Sequence, residues 1–110
     1  MLCAVFVVGR GPKILTPLQD TTVTSPETVT LECAVDLGDP EASIRWLKNG
    51  SEIRTRSNVR DVTTSLTGGV ARLNIARTEF EDNAEFVVEA KNKLGTVESS
   101  CVLNVKCKWS

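Results

Sequence analysis

Four cysteines, Cys3, Cys33, Cys101 and Cys107, carry the richest intrinsic chemistry in this chain, followed by a run of carboxylates, Glu79, Glu81, Asp82 and Glu85. A thiolate can attack, ligate a metal or pair with a second sulfur, but each use needs particular neighbours. The chain contains no histidine, which removes the commonest general base and the commonest nitrogen ligand. No Cys-x-x-Cys occurs and five residues separate Cys101 from Cys107, so zinc spacing is missing. Cys33 lies in an alternating apolar stretch and reads as plain core, and Cys101 reads the same way in a last strand expected near a sheet edge. Cys3 and Cys107 fall in the tails, where a pairing between them needs neighbouring termini and an oxidising compartment. The carboxylates lack the alternating ligands and bend-making glycine of a calcium loop and read as a solvated corner. With no base for a nucleophile and no phosphate-cradling glycine loop, the sequence predicts no catalytic residue, no cofactor and no metal.

One further motif has a chemical reading. Asn49-Gly50-Ser51 has the form of an N-glycosylation acceptor. Asn-Gly is also what a type I′ hairpin turn requires, and the turn is the preferred reading, with a glycan on Asn49 as the lesser one.

The elements that would position these residues follow from periodicity. The 110 residues suit one domain, with 41% hydrophobic and 25% charged residues, as in ordinary globular chains. A formal charge of -1 with no basic cluster directs the chain to neither nucleic acid nor an anionic membrane. Residues 2–8, LCAVFVV, are too few to cross a bilayer as a helix and lack a basic flank and a small-residue cleavage site. They read as a tail spanning residues 1–11, a strand remnant of a preceding domain or an effect of where the segment was cut. From residue 12 to 106 the apolar period is two, which predicts strands rather than helices. Residues 12–23 read as an edge strand split at Pro17. Val29, Leu31, Cys33 and Val35 share one strand face, and Ile44 and Trp46 begin another ahead of the Asn49-Gly50 hairpin. Residues 54–69 are polar, with short edge strands and loops expected. Ala71, Leu73 and Ile75, then Phe86, Val88 and Ala90, then Cys101, Leu103 and Val105 alternate again, and residues 107–110 form a second tail.

These stretches resemble the immunoglobulin I-set domains of the titin, twitchin and obscurin type found in giant intracellular muscle proteins. VTLECAV carries Cys33 at the family's first core cysteine, and IRWLKNG carries Trp46 at its core tryptophan. The family's D-x-G-x-Y-x-C-x-A-x-N-x-x-G pattern is met by Asp82, Ala90, Asn92 and Gly95 in DNAEFVVEAKNKLG, with Ala84 for glycine, Phe86 for tyrosine and Val88 for the second cysteine. The resemblance implies an all-β, two-sheet antiparallel immunoglobulin-like sandwich without its inter-sheet disulfide. It also implies a core of Cys33, Trp46, Leu73, Ile75, Phe86, Val88 and Leu103. Phe86 has no hydroxyl to form the family's tyrosine corner. A crosslink between positions 33 and 88 would close a loop of about 55 residues and contribute roughly 4 kcal/mol. A buried valine returns about 1.5–3 kcal/mol.

The missing crosslink favours a reducing compartment. The resemblance therefore implies a non-catalytic spacer, mechanical element or docking surface in a cytoplasmic protein of the sarcomere or cytoskeleton. Its partners would be neighbouring immunoglobulin or fibronectin type III modules and cytoskeletal proteins. Alternatives are an extracellular adhesion or receptor domain and a module flanking a kinase. Asp82 is expected to pair with an arginine, Arg60 being the candidate. The strand after Pro17 and the last strand, residues 101–105, are expected to form a mechanical clamp. The sheet edges near residues 14–18 and the segment 54–69 are the candidate docking surfaces.

Overall fold

The computed structural model describes residues 9–53 and 62–107, so the apolar run 2–8, Cys3, Arg60 with its neighbours and residues 108–110 lie outside it. Alternating apolar side chains set the strands. In β3 (Val29–Asp36), Val29, Leu31, Cys33 and Val35 are buried while Thr30 and Glu32 face out. The same two-residue period buries Ala71, Leu73 and Ile75 in β7 (Val70–Ile75) and Phe86, Val88 and Ala90 in β8 (Ala84–Asn92). In β9 (Gly95–Lys106) it buries Ser99, Cys101, Leu103 and Val105. The remaining strands are β1 (Lys13–Thr16), β2 (Thr21–Thr24), β4 (Ser43–Lys48), β5 (Ser51–Glu52) and β6 (Val62–Thr67).

Two sheets pack face to face. One runs β1-β3-β7-β6 and the other β2-β9-β8-β4-β5. All pairs are antiparallel except β2 with β9, where Thr21 to Thr24 lie beside Leu103 to Lys106 in parallel. Pro17 explains this. It cannot donate to a ladder, so the first strand ends there after pairing with β3, and the chain crosses to the other sheet before β2 begins. The last strand is therefore not at an edge. β2 covers it, and Cys101 is 3% exposed.

Turn chemistry fixes the hairpins. Asn49 and Gly50 have φ of 50° and 85°, the left-handed pair of a type I′ turn between β4 and β5. The β6–β7 hairpin closes at Gly68-Gly69. Outer faces carry directly opposed pairs: Arg45 with Glu89 at 2.7 Å and Arg72 with Glu32 at 2.6 Å, each adding a fraction of a kcal/mol at such exposure.

The chain enters and leaves at opposite ends. Arg10 exchanges two backbone hydrogen bonds with Asp39, both 2.9 Å, and its guanidinium meets Asp36 at 2.8 Å. That contact draws the Asp36 carboxyl below its ordinary range. The Asn92 amide donates to the carbonyls of Arg10 and Pro40, joining the entry to the β8–β9 turn. Lys106, at the far end of β9, accepts from the Ser25 N–H. Gly38 permits the entry, since it has φ of 75° and an added Cβ would run into the Arg10 carbonyl oxygen. Gly50 shares the left-handed backbone but has open space around it. Gly50→Ala should cost about 1–2 kcal/mol for the backbone alone, and Gly38→Ala clearly more because it also expels Arg10. Urea unfolding of both variants measures this, and equal losses would show that the close approach has no energetic weight.

Candidate functional site

No side-chain constellation for catalysis is assembled among the described residues, and none of them form a group of three potential metal ligands. What the strands position instead is a core, a chain crossing and a set of edges. Trp46 on β4 pairs with Val88 on β8, which pairs in turn with Ser99 on β9. Cys33 on β3, in the opposite sheet, is fully buried. Leu73, Ile75, Phe86 and Leu103 are each at most 1% exposed and fill the space around them. Phe86 is thus packed completely without a hydroxyl.

Ser99 has a role that the sequence reading missed. Its Oγ accepts the Leu18 N–H at 2.8 Å, immediately after the Pro17 crossing. Ser99 and the Leu18 backbone also contact the Cys33 thiol, and both oppose the upward push on its pKa that burial produces. One hydroxyl therefore ties the crossing strand to β9, next to Cys33 of the facing sheet, where the family carries a crosslink. The signal was available: Ser99 has the same parity as Cys101, Leu103 and Val105. Thr78 and Asn83 were missed too. Thr78 is fully buried, and its hydroxyl donates to the Glu27 carbonyl at 2.6 Å. Asn83 uses its amide to accept from the Val105 N–H at 2.6 Å and to donate to the Val105 carbonyl at 3.1 Å, which extends the ladder beyond β8.

The acidic corner departs from a solvated one at a single residue. Glu79, Glu81 and Glu85 are exposed, but Asp82 is 1% exposed. Its Oδ2 accepts the Glu79 N–H at 2.7 Å and closes a short 3₁₀ turn, Phe80–Asp82, while Lys48 Nζ lies 3.6 Å from Oδ1. Burial follows from capping the turn, a short-range demand that composition hides. The expected partner Arg60 lies outside the described residues. Asn49 is exposed, and its Oδ1 accepts the Glu85 N–H at 3.0 Å, so the hairpin tip is tied to β8.

Neither buried thiol is poised to react. Burial raises Cys33, and it pushes Cys101 up to about 11, with the charges of Asp20 and Glu85 adding to the effect. A Cys3–Cys107 pairing, which the sequence reading does not favour, involves Cys3, which lies outside the described residues.

Of the edges, β1 ends at Pro17 with an irregular register between Ile14 and Thr16. β2 begins beside Asp20, whose carboxylate accepts the Val102 N–H at 2.8 Å. The parallel pairing thus starts at Leu103, later than the expected 101–105 clamp. Val105 turns its N–H to Asn83 on the other side. By alternation, it is the Asn104 N–H that faces β2.

Two sheets with a tryptophan packed against the position of a core cysteine, a first strand that changes sheets and a parallel first-to-last pairing define an immunoglobulin-type β-sandwich. The family model of the immunoglobulin I-set domain matches residues 12–105, and the chain belongs to that family. It is 38% identical over 99 residues to the muscle M-line assembly protein unc-89 of Caenorhabditis elegans, covering 87% of this chain and 1% of that protein. It is 36% identical over 97 residues to vascular endothelial growth factor receptor 1 of Gallus gallus, covering 88% of this chain and 7% of the receptor. Titin domains Z1Z2, solved in complex with telethonin, superpose with a TM-score of 0.86 at 27% identity, covering 93% of this chain and 51% of that one. The chain thus spans a small fraction of the curated relatives it matches.

Two outcomes test the core. Ser99→Ala strands the Leu18 N–H and should cost about 1–3 kcal/mol in urea unfolding. The Cys101 pKa rises on folding, from an ordinary 9.0 to about 11, so its contribution is intact below pH 9 and is lost as pH rises toward 11. Stability measured across that interval should fall more steeply for the parent chain than for Cys101→Val, and parallel curves would contradict the assignment.

Proposed function

We propose that this domain is a non-catalytic spacer, tension-resisting element and protein-docking module of a larger muscle or cytoskeletal protein, working in the cytoplasm beside other immunoglobulin or fibronectin type III modules. The observation that carries this reading is the placement of entry and exit. The chain enters beside Asp39 and Asn92 and leaves past Lys106. β9, with 12 residues, spans roughly 36 Å at about 3.3 Å per residue between those ends. Such a module fits in line within a longer chain. Tension applied at the two ends loads β2 and β9 in shear, because they run parallel and flank the crossing. The muscle-protein relatives, and a core held by packing and one hydroxyl where the family has a disulfide, support an intracellular setting. The titin–telethonin complex supports protein docking as a use of the fold.

A second reading is an extracellular receptor module, favoured by the receptor relative and by the exposed Asn49-Gly50-Ser51 tip. Secretion of the chain from a glycosylating cell decides between them. An unmodified Asn49 with titratable thiols supports the cytoplasmic reading, and a glycan on Asn49 supports the other.

The mechanical part is tested by pulling tandem arrays. Asn104→Pro removes the N–H facing β2 and should lower the unfolding force by about a third or more. Leu73→Ala, a core truncation of about 2–5 kcal/mol far from that pair, should lower it less. Equal force for the parent and Asn104→Pro would remove β2–β9 as the clamp.

A further inference from the structure

The four sheet edges are not alike. β1 carries Lys13, breaks register and ends at Pro17, β2 has four residues following Asp20, and β5 has only two, Ser51 and Glu52. Short length, charge, proline and irregular register are the devices that blunt an edge against strand addition. Within Val62–Thr67, β6 has none of them. Its six residues, VTTSLT, pair with β7 in unbroken register from Val62 with Ile75 to Thr67 with Val70. They begin the longest uncharged stretch of the chain, residues 62–71. β6 ends its sheet, so its outer edge carries no partner strand among the described residues.

Among the described residues, the space beside that edge is also unfilled. Thr64 and Leu66 lie opposite Leu73 and Ala71, both fully buried, so they belong to the inward face of the sheet. Yet both are exposed, Leu66 at 42%. The other sheet stops short on this side because β5 pairs only with Leu47 and Lys48. A cleft of about 300 Å³ remains, lined by Thr64, Ser65 and Leu66 on one wall and Ala42, Ser43, Ile44 and Trp46 on the other. Among the described residues, no charged side chain lines it.

We propose that the outer edge of β6 and the cleft beside it are a docking site for an extended, uncharged peptide segment of a protein partner, with aliphatic side chains at every second position. The peptide backbone continues the β-ladder of β6, and its alternate side chains enter the cleft over Trp46. In strand addition, main-chain hydrogen bonds provide affinity and such pockets provide specificity. An uncharged lining selects against a charged segment, since a charge placed there would be desolvated without a partner. A second copy of this chain fits less well. Its β6 offers Val62, Thr64 and Leu66 on the inward side; Val62 already packs against its own core, and the other two form a wall of their own cleft.

This site deepens the docking part of the function proposed above and rests on it. The pulling experiment reads β2 and β9, so the two can fail separately. The probe is a capped octapeptide alternating threonine with valine and leucine, with a lysine at each end, titrated into the ¹⁵N-labelled domain. Expected are shifts confined to Val62–Thr67, residues 42–46 and the Trp46 indole, with amide exchange on β6 slowed at least tenfold. Thr64→Lys and, independently, Leu66→Lys should weaken binding at least tenfold at unchanged thermal midpoint, both positions being exposed. A peptide with glutamate in place of the aliphatic residues should not bind. The proposal is overturned by no shift at millimolar peptide, by shifts on β1 or β2, by equal binding of the glutamate peptide, or by a concentration-dependent dimer that occupies β6.

Discussion

The structure depends on how its two sheets are held together where no covalent link joins them. Cys33, Trp46 and Val88 meet that demand by packing, and Ser99 adds a directional link. It receives the Leu18 N–H just after the chain leaves one sheet, and it contacts the thiol of Cys33 in the other. Packing alone is non-directional and tolerates sliding. A buried hydroxyl with a fixed amide donor does not, because losing the bond strands a buried N–H. The crossing at Pro17 therefore has a defined landing point. The parallel register of β2 on β9 follows from it, since Thr21 meets Leu103 a short step after Leu18 meets Ser99.

Much of this was legible in the chain. The period-two runs at 29–35, 71–75, 86–90 and 101–105 identify their strands and inward faces, because burial on one face of a sheet leaves no other pattern stable. Asn49-Gly50 specifies its hairpin through backbone geometry alone, and Pro17 specifies an interruption. The interruption did not reveal its consequence, a change of sheet, because the destination is fixed by Ser99, some eighty residues away. Asp82 shows a similar limit. Within a run of four carboxylates nothing marks one as buried, and only the turn it caps separates it from Glu81. Serine, threonine and asparagine are common on surfaces, so Ser99, Thr78 and Asn83 pass for exposed residues until their partners are known. Hydrophobic periodicity is local, while the partners of a buried polar group are a property of the whole fold.

The edges pose the complementary problem. A sandwich built from short strands leaves four of them, and three are blunted by length, charge, proline or irregular register. Proline and Asp20 at the first two serve the crossing as well: one stops the ladder and the other holds the Val102 amide. Within Val62–Thr67, β6 lacks any such feature, and among the described residues Thr64 and Leu66, which it turns inward, are left uncovered beside a short β5. An edge with continuous register beside a cleft whose described lining is uncharged is therefore where this domain can accept backbone from outside with least rearrangement.

The position of that edge matters for a domain under tension. In sheet order, β1 and β2 lie on one lateral side of the sandwich and β5 and β6 on the other. Force entering at Arg10 and leaving past Lys106 passes through the first pair of strands and β9, whereas a segment added to β6 bonds only to β6. The two share the core between them but no hydrogen bond. A partner on β6 can therefore remain attached while β2 and β9 bear load, and it need not weaken them. It would also cover the inward faces of Thr64 and Leu66 and add apolar burial beside Trp46, strengthening the packing that stands in for the absent crosslink.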